Sequence, residues 1–415
     1  MKNLITKLGR ALLALNLAAI LTSMAAMEIF SWLLFVLVVV ELVRRRIYRA
    51  DFQMDGMRPV LILLGVLWLS LAVGAVQNIQ DFKATLVVIG ETRWILLLPT
   101  FALAFRWWLK PEDQQHMKWW WCLLGLVSAY AAFQFLTGVE VFRSRQILYP
   151  FGPFWRATGL FNMPLTFAAV LGMCLCVTYA HLIRRSCFRH PLYYAIAAIG
   201  AFAMVASLSR GAWLSFGVAL LTMFAVELKP KHTAILFVLG LLVLGLGTLV
   251  PGIGDRLIGM LDFQSDTYRE RFELWRANYA MFQDHALLGV GYGENYKHLP
   301  EYFERLQITR GFISHAHNTY FQWLGGTGLI GFTLFVSLLG LLLKRTYSLI
   351  RGSLWEWGRV LALGLLGAQV LLHFNGLTEA SFFDGEVNHT LMMVWGLVLA
   401  LPLPAVKKNV PVDSQ

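Results

Sequence analysis

The sequence predicts an all-α polytopic membrane protein with about twelve transmembrane helices and one large, partly helical loop. Hydrophobic residues make up 58% of the 415-residue chain and charged residues only 14%, whereas soluble domains carry about 25% charged residues. Apolar runs of about 20 residues, the length that spans a bilayer, follow one another along the chain. The net charge of +11 comes from Lys and Arg in the short connectors between these runs. That distribution indicates membrane topology rather than the clustered basic face that nucleic-acid binding requires.

Polar connectors separate the predicted spans, whose boundaries carry an error of a few residues. The spans cover residues 11–26, 28–43, 59–76, 84–105, 118–138, 163–183, 192–207, 211–227, 232–250, 318–343, 359–375 and 387–404. The run 192–226 would be about 52 Å long as a single helix, which exceeds the bilayer core of about 30 Å. Because Ser207-Leu208-Ser209-Arg210-Gly211 interrupts this run, we expect a helical hairpin there.

This order divides the chain into three parts: transmembrane helices 1–9 in residues 1–250, a large loop in residues 251–317, and helices 10–12 with a short tail in residues 318–415. With both termini in the cytoplasm, most connectors rich in Lys and Arg lie inside, as the positive-inside rule requires. The remaining basic residues fall on the outer side, and an anionic ligand there would account for them. These residues are Lys83, Arg93, Arg143, Arg145, Arg156, Arg210, Arg256, Arg269, Arg271, Arg276, Lys297, Arg305 and Arg310.

Neither a disulfide nor a metal site is predicted. The cysteines Cys122, Cys174, Cys176 and Cys187 lie in apolar runs or in a basic connector, without a CxxC spacing. Acidic residues on the outer side are dispersed, and the first outer loop has no DxD-like pair. This pattern argues against glycosyltransferases that hold a divalent ion on the donor phosphates, and it leaves arginines to neutralise a leaving group.

The segment His315-Ala316-His317-Asn318, where the large loop re-enters the membrane, is the first candidate for chemistry. We expect Ser314 to cap the following helix, and His317 and Asn318 to lie in its first turn, where free backbone N–H groups favour a bound anion. A neutral imidazole there can take a proton from an attacking hydroxyl near pH 7. The alternative is a His pair that only caps an interfacial helix. A metal is disfavoured because no Asp or Glu has a ligand-like spacing from the two His residues.

Arginines in three segments are candidate phosphate ligands. Arg210 lies between two apolar helices, where an arginine is functional unless it snorkels to water. Arg145 and Arg156 lie in the aromatic-rich loop 139–162, which is alternatively a solvated basic loop with aromatic anchors.

A helix is predicted from Thr267 to Gln283 in the large loop. On that helix Arg269, Phe272 and Arg276 share one face, while Arg271 and Trp275 share another. Arg269 and Arg271 are therefore candidate ligands on different faces. The alternative is a surface helix with internal pairs of Glu and Arg.

Three sequence motifs resemble those of the O-antigen ligase superfamily, which also includes O-antigen polymerases and bacterial protein O-oligosaccharyltransferases. The motifs are SRGAW at Ser209 to Trp213, RFELW at Arg271 to Trp275 with LLGVGYG at Leu287 to Gly293, and HNTYFQWLGGTGLIG at His317 to Gly331. The resemblance covers the second half of the chain strongly and the first half only in hydropathy. The chain length, the single dominant outer loop and the short polar C-terminal tail are most similar to lipopolysaccharide O-antigen ligases.

The resemblance implies a GT-C-like glycosyltransferase of the Gram-negative inner membrane, with an active site that faces the periplasm. Such an enzyme transfers an O-antigen glycan from undecaprenyl pyrophosphate to a sugar hydroxyl of lipid A-core, without a nucleotide sugar, a metal or another cofactor. His317 would be the general base, with His315 or Asn318 orienting its ring or the sugar. The arginines that would hold the pyrophosphate are Arg210 and Arg271, with Arg145, Arg156 and Arg269 as weaker candidates.

A single displacement would invert the anomeric centre, because no outer carboxylate is clearly placed as a nucleophile. Glu379, Asp384 and Glu386 in the last outer loop keep a covalent intermediate open. A polymerase would share the donor but use a second lipid-linked glycan as acceptor, and a protein O-oligosaccharyltransferase would use a protein. A transporter, the alternative from another class, should pair charged residues near mid-membrane in repeat-related segments, whereas the ionisable residues here gather at one face.

Overall fold

The structure is a computed structural model of the chain. It describes residues 2–47, 57–78, 82–110, 117–143, 148–184, 191–228, 230–250, 253–259, 262, 264–309, 312–352 and 356–402. Arg145, one of the predicted phosphate ligands, lies outside the described residues.

The described residues fold almost entirely into α-helices, so the predicted all-α polytopic membrane fold is confirmed. The helices are α1 (Lys2–Thr22), α2 (Met24–Ile47), α3 (Arg58–Asn78), α4 (Phe82–Glu91), α5 (Trp94–Trp108), α6 (Met117–Thr137), α7 (Pro164–Arg184), α8 (Pro191–Ala206), α9 (Arg210–Glu227), α10 (Pro230–Gly247), α11 (Ile253–Ile258), α12 (Asp266–Asp284), α13 (Asn295–Arg305), α14 (Thr319–Arg351), α15 (Glu356–Asn375) and α16 (Gly385–Ala400). Two short antiparallel strands, β1 (Pro150–Phe151) and β2 (Phe154–Trp155), form a hairpin between α6 and α7. A 3-10 turn, Ser381–Phe383, precedes α16.

Every predicted span overlaps a helical segment, although the first, 11–26, crosses the break at Ser23 between α1 and α2. Eight of the described segments are long and apolar enough to cross a membrane. The total of about twelve spans stays a prediction.

The span predicted at 84–105 is an apolar segment that a turn at Thr92 and Arg93 divides into α4 and α5. Thr92 Oγ1 donates a hydrogen bond to the carbonyl of Ile89 (2.6 Å), a local bond that competes with regular helix hydrogen bonding.

The chain reverses between α8 and α9, as the polar interruption predicts. Tyr179 of α7 donates to the carbonyl of Ala197 in α8 (3.2 Å), and its ring lies 5.7 Å from the Phe216 ring in α9. Residues before and after the turn therefore pack beside the same side chain. Within the turn, Leu208 has φ +50°, a left-handed conformation that is uncommon for a residue other than glycine.

Helices α5, α7, α15 and α16 form the centre of the bundle, with α15 packed on α7 and α9, and α16 packed on α5. Trp108, Trp121, Trp323 and Trp395 are among the largest fully buried side chains. The outer helices α2 and α3 instead expose apolar side chains such as those of Val36 and Ile62. Extended exposed apolar surface of this kind marks contact with a membrane.

Contacts between helix ends define the two ends of the bundle. At the start of α5, Trp94 Nε1 donates to the Tyr292 hydroxyl of the large loop (3.0 Å). At the start of α16, a Cβ on Gly385 would lie 3.1 Å from Met24 Cε, beside the junction of α1 and α2. These positions share one end, called the site end below, where the large loop lies. The last turns of α2 and α5 lie at the opposite end, where the Arg45 guanidinium sits 4.6 Å from the Trp107 ring centre.

The described residues between 253 and 317 form a small subdomain with its own apolar core, called the loop subdomain below. The helix predicted from Thr267 to Gln283 is confirmed as α12. The core between α12 and α13 consists of Leu274, Ala277, Ala280, Met281, Val290, Leu299, Tyr302 and Phe303. This packing makes α12 a rigid support at the site end.

A break in α14 fixes the loop subdomain to the bundle. Gly328 has φ +62° and ψ −167°, a conformation essentially restricted to glycine, so the helical hydrogen bonding is interrupted there. The freed backbone groups bond to the glycine-rich turn that follows α12: Val290 N–H donates to Gly325 (3.1 Å), Gly291 N–H to Gly326 (2.9 Å), and Leu329 N–H to Ala286 (2.8 Å). The LLGVGYG and GGTGLIG motifs are thus two halves of one interface.

Candidate functional site

The HAHN segment is a non-helical loop that leads into α14, and its cap differs from the prediction. Asn318, not Ser314, is the N-cap, and its Oδ1 accepts hydrogen bonds from the N–H groups of Tyr320 (2.9 Å) and Phe321 (3.0 Å). The N–H of Thr319 donates to the carbonyl of Gly376, and that of Gln322 to Asn318.

All four N–H groups at the start of α14 therefore have partners. The expectation that they bind an anion is wrong, because the Asn318 side chain and the neighbouring loop already satisfy them. Asn318 also donates from Nδ2 to Leu377 (2.9 Å), so its polar groups hold backbone and do not orient the imidazole of His317.

His317 is held by a carboxylate that lies 62 residues further along the chain. Its Nδ1 lies 2.9 Å from Glu379 Oε1 and 3.1 Å from Oε2. A carboxylate accepts hydrogen bonds, so Nδ1 carries the proton and Nε2 is left as the proton acceptor. The backbone of His317 has φ +46°, and such uncommon conformations cluster at functional sites.

His315 completes a compact group with the same carboxylate. The His317 backbone N–H donates to His315 Nδ1 (3.2 Å), which places the His315 proton on Nε2, 3.5 Å from Glu379 Oε1. Burial lowers the pKa of His315, while the Glu379 charge opposes that effect.

Glu379 is almost fully buried, at 4% exposed, in the loop between α15 and α16. The loop is fixed by Thr319, whose Oγ1 donates to the Glu379 carbonyl (3.0 Å), and by the Ala380 N–H, which donates to Glu379 Oε1 (3.2 Å). Burial raises the pKa of this carboxyl, but the hydrogen bond from His317 and the electrostatic effects of His317, His315 and Arg271 outweigh it, so the pKa lies below its usual value. Glu379 is therefore ionised beside His317.

Arg271 links α12 to this group, as its predicted face allows. Its guanidinium lies 3.7 Å from Glu379 Oε2. One turn further on, Trp275 Nε1 donates to the carbonyl of Ala316 (2.9 Å), and the Trp275 ring stacks on Phe321 (5.6 Å between ring centres). Burial lowers the pKa of Arg271, Glu379 raises it, and the charge of Arg210 lowers it further. The positive charges of Arg210 and Arg271 therefore repel each other.

Three further arginines lie near one another and are called the arginine cluster below: Arg156, Arg210 and Arg256. Arg210 donates from a terminal guanidinium nitrogen to the carbonyl of Gly259 (2.7 Å), and Arg156 Nε donates weakly to Ser207 (3.4 Å). Arg256 lies over the Phe151 ring of β1, 4.1 Å from its centre, and its buried Nε has no hydrogen-bond partner in the described part of the chain.

The arginine cluster has no counter-ion within the described residues: its hydrogen bonds go to carbonyl oxygens, and none of the ion pairs involves these side chains. Burial, followed by the charges of Arg156 and Arg210, lowers the pKa of Arg256 to about 10. Burial and the charge of Arg210 also lower the pKa of Arg156. Converging cations without an acidic partner favour a multivalent anion.

A close contact joins the arginine cluster to the Glu379 loop. A Cβ on Gly211, the residue after Arg210, would lie 2.5 Å from Thr378 Oγ1. The start of α9 can approach the loop this closely only because residue 211 is glycine. The proton acceptor on His317 and the cations therefore belong to one site.

The other predicted ligands lie elsewhere. Arg269 is two residues from Arg271 on the same helix and so points away from the site. It pairs with Asp266 on the exposed face of α12. Arg145 is outside the described residues, and Asn318 is a helix cap.

Two residues of the site were not predicted in their roles. The sequence did not single out Arg256 as a site residue, and it presented Glu379 only as a possible nucleophile. No local pattern could reveal either role, because both depend on contacts between distant segments.

His315, His317 and Glu379 place three donor atoms within 4.8 Å of one another, a spacing that could hold a metal ion. Sequence spacing missed this grouping because Glu379 is remote in the chain. The guanidinium of Arg271 next to Glu379 makes the position unfavourable for a second cation. The metal-free reaction stays a prediction.

A family model described as "O-Antigen ligase" matches residues 195–336. The matched segment contains Arg210, Arg256, Arg271, His315 and His317, while Arg156 and Glu379 lie outside it. No curated protein sequence gives a match to the chain. Residues 195–336, about a third of the chain, are therefore similar to the O-antigen ligase family.

Proposed function

We propose that the protein is an O-antigen ligase that transfers a glycan from undecaprenyl pyrophosphate to a sugar hydroxyl of lipid A-core at the periplasmic face of the inner membrane. The observation that carries the proposal is the juxtaposition of two chemically different groups. A His317 ring, oriented by Glu379 at 2.9 Å, lies in one site with four arginines, three of which lack an acidic partner within the described residues. Transfer from a lipid diphosphate needs both a proton acceptor and charge neutralisation.

His317 acts as the general base. Its Nε2 accepts the proton of the acceptor hydroxyl while the hydroxyl oxygen forms a bond to the anomeric carbon of the donor glycan. Glu379 holds the tautomer with Nδ1 protonated and stabilises the imidazolium that forms, as a buried carboxylate does in other carboxylate–histidine pairs. His315 shares the same carboxylate and positions the His317 backbone.

The arginine cluster and Arg271 neutralise the leaving group. As the bond between the anomeric carbon and the phosphate oxygen breaks, its electron pair stays on the diphosphate, whose charge rises. Cations fixed in advance stabilise that charge without reorganisation. Arg271 contacts Glu379 as well, so it connects the leaving group to the base.

We propose a single displacement with inversion. Glu379 is buried, and His317 contacts both of its oxygens, which leaves it poorly placed to attack a sugar. Asp384 is half-buried, and its Oδ2 accepts a hydrogen bond from Thr166 (3.0 Å). A retaining enzyme needs a carboxylate exposed to the anomeric carbon, so retention of configuration in the product would contradict this mechanism.

Complementation of a ligase-deficient Gram-negative strain with matched O-antigen and core tests the proposal. We expect the wild-type protein to restore capped lipopolysaccharide, and His317→Ala and Arg210→Ala to fail at equal membrane abundance. Arg276→Gln is the matched control, because Arg276 lies on the exposed face of α12 and pairs with Glu273. Capping by His317→Ala at the wild-type level would overturn the assignment of the base.

A second assay separates the ligase from a polymerase. Purified protein is supplied with lipid-linked glycan, either alone or together with lipid A-core. A ligase forms product only with lipid A-core, whereas elongation of the lipid-linked glycan alone would identify a polymerase. Failure with both acceptors, together with modification of an added periplasmic protein, would instead identify a protein O-oligosaccharyltransferase.

A further inference from the structure

An apolar groove lies at the opposite end of the bundle, between α1, α5 and α6. It encloses a cavity of about 690 Å³, and its walls include Ala14, Leu17, Phe105, Trp119 and Leu123. Arg10 of α1 also lines the groove. The groove is remote from the candidate site, since α1, α5 and α6 each continue from it toward the site end.

Helix α1 contacts α5 on one side of the groove and α6 on the other. The space between the helices is therefore part of the fold. A Cβ on Gly9 would lie 2.2 Å from the Trp108 ring, which shows that α1 touches α5 closely at this glycine. On the other side, Trp120 Nε1 of α6 donates to the carbonyl of Leu17 (3.0 Å). Between these ties the wall of α1 presents alanines, including Ala11 and Ala14, whose short side chains leave the space open.

The volume of the cavity is more suitable for a lipid acyl chain than for a helical protein segment. Three turns of a helix about 10–12 Å across displace roughly 1,300 to 1,800 Å³, which exceeds the volume of the cavity. Trp119 is 80% exposed at the rim of the groove, and exposed tryptophan is typical of the boundary between lipid chains and head groups.

Positive charge surrounds the groove at this end. Arg10 lines it, Lys118 is exposed directly before Trp119, and Arg46 is exposed at the end of α2. Basic pockets between transmembrane helices bind anionic lipid head groups. We propose that the groove binds an anionic phospholipid, with an acyl chain between α1, α5 and α6 and its phosphate at Arg10. This proposal does not depend on the glycosyltransferase function.

Thermal unfolding in nanodiscs tests the proposal with phosphatidylcholine alone or with added phosphatidylglycerol. We expect phosphatidylglycerol to raise the Tm of the wild-type protein by several degrees. Arg10→Gln and the groove-filling Ala14→Phe should lose this difference between lipids. Arg46→Gln should keep it, because Arg46 carries the same charge at the same end but does not line the groove. Comparing lipids within each variant removes any general effect of a substitution on folding.

Native mass spectrometry of the detergent-solubilised protein provides the second measurement. We expect retained phosphatidylglycerol on the wild type and on Arg46→Gln, and at least a tenfold lower bound fraction on Arg10→Gln and Ala14→Phe. Equal Tm values in the two lipid mixtures for the wild type would overturn the proposal. Equal loss of the lipid effect in Arg10→Gln and Arg46→Gln would also overturn it, because the attraction would then be a general surface charge effect.

Discussion

At the scale of single residues, the site depends on one buried carboxylate and a group of uncompensated cations. Glu379 sets the tautomer of His317 through a 2.9 Å hydrogen bond. Arg156, Arg210 and Arg256 instead face one another without an acidic partner in the described chain, which lowers the pKa of Arg256 to about 10 through burial and mutual repulsion. The Glu379 carboxylate is held by hydrogen bonds within the protein, whereas the cations are arranged to bind an anion.

Glu379→Gln should abolish most of the transferase activity while the protein still folds. The amide removes the charge that stabilises the imidazolium and can present an N–H to Nδ1, which favours the wrong tautomer. The expected loss is about 10²- to 10⁴-fold in kcat, measured with purified protein and both lipid substrates. Glu304→Gln, a change at an exposed glutamate of α13, is the control and should retain the wild-type rate. A comparable rate for Glu379→Gln would show that the ring does not need this carboxylate.

Arg256→Gln should stabilise the free protein and weaken its response to pyrophosphate. Removal of one half-buried cation relieves repulsion from Arg156 and Arg210, so we expect a higher Tm without ligand. An anion that binds only the folded state stabilises it by about 2.7 kcal/mol at one hundred times Kd, and loss of one cation should shrink that shift. Differential scanning fluorimetry with inorganic pyrophosphate measures both effects. A pyrophosphate shift as large as that of the wild type would exclude Arg256 from the anion site.

At the scale of secondary-structure elements, glycines decide how the loop subdomain is placed. The break in α14 at Gly328 exposes backbone groups that the turn after α12 satisfies. Through this interface α12 presents Arg271 to Glu379 and Trp275 to the carbonyl of Ala316. The site geometry is therefore set by backbone conformation as much as by side chains.

Gly328→Ala should destabilise the protein and disrupt the site, whereas Gly340→Ala in the same helix should not. At Gly328 the backbone has φ +62°, and a Cβ would lie 2.4 Å from the Leu287 carbonyl carbon. The conformational strain alone costs about 1–3 kcal/mol. At Gly340 no atom lies within 4 Å of the added Cβ, so alanine there gains up to about 1 kcal/mol of helix propensity. Thermal unfolding and limited proteolysis of the loop subdomain measure the difference, and equal Tm values for the two variants would contradict the role given to the break.

At the scale of the whole molecule, the two ends of the bundle differ in chemistry. The site end carries the loop subdomain, the arginine cluster and the Glu379 loop. Exposed basic residues such as Arg46 and Lys118 mark the opposite end. This asymmetry is the basis for the proposed orientation, with the site facing the periplasm and both termini in the cytoplasm.

Cysteine labelling tests that orientation. In a background without the native cysteines, Glu304→Cys at the site end should react with a membrane-impermeant maleimide in cells with a permeabilised outer membrane. Lys118→Cys at the opposite end should react only after the inner membrane is disrupted. Both positions are exposed, so accessibility within the protein is matched. Labelling of Lys118→Cys in intact spheroplasts would reverse the proposed orientation.

The sequence by itself determined the membrane class, the order of helices, the hairpin around Arg210 and the faces of α12, because hydropathy, polar interruptions and helical periodicity are local properties. It also pointed to His317, Arg210 and Arg271. Only the tertiary structure decided that Glu379 orients His317, that Arg256 joins the cations, that Arg269 points away and that Asn318 is a cap. These roles arise from contacts between segments far apart in the chain, such as the 62 residues between His317 and Glu379, and no local pattern specifies how such segments meet.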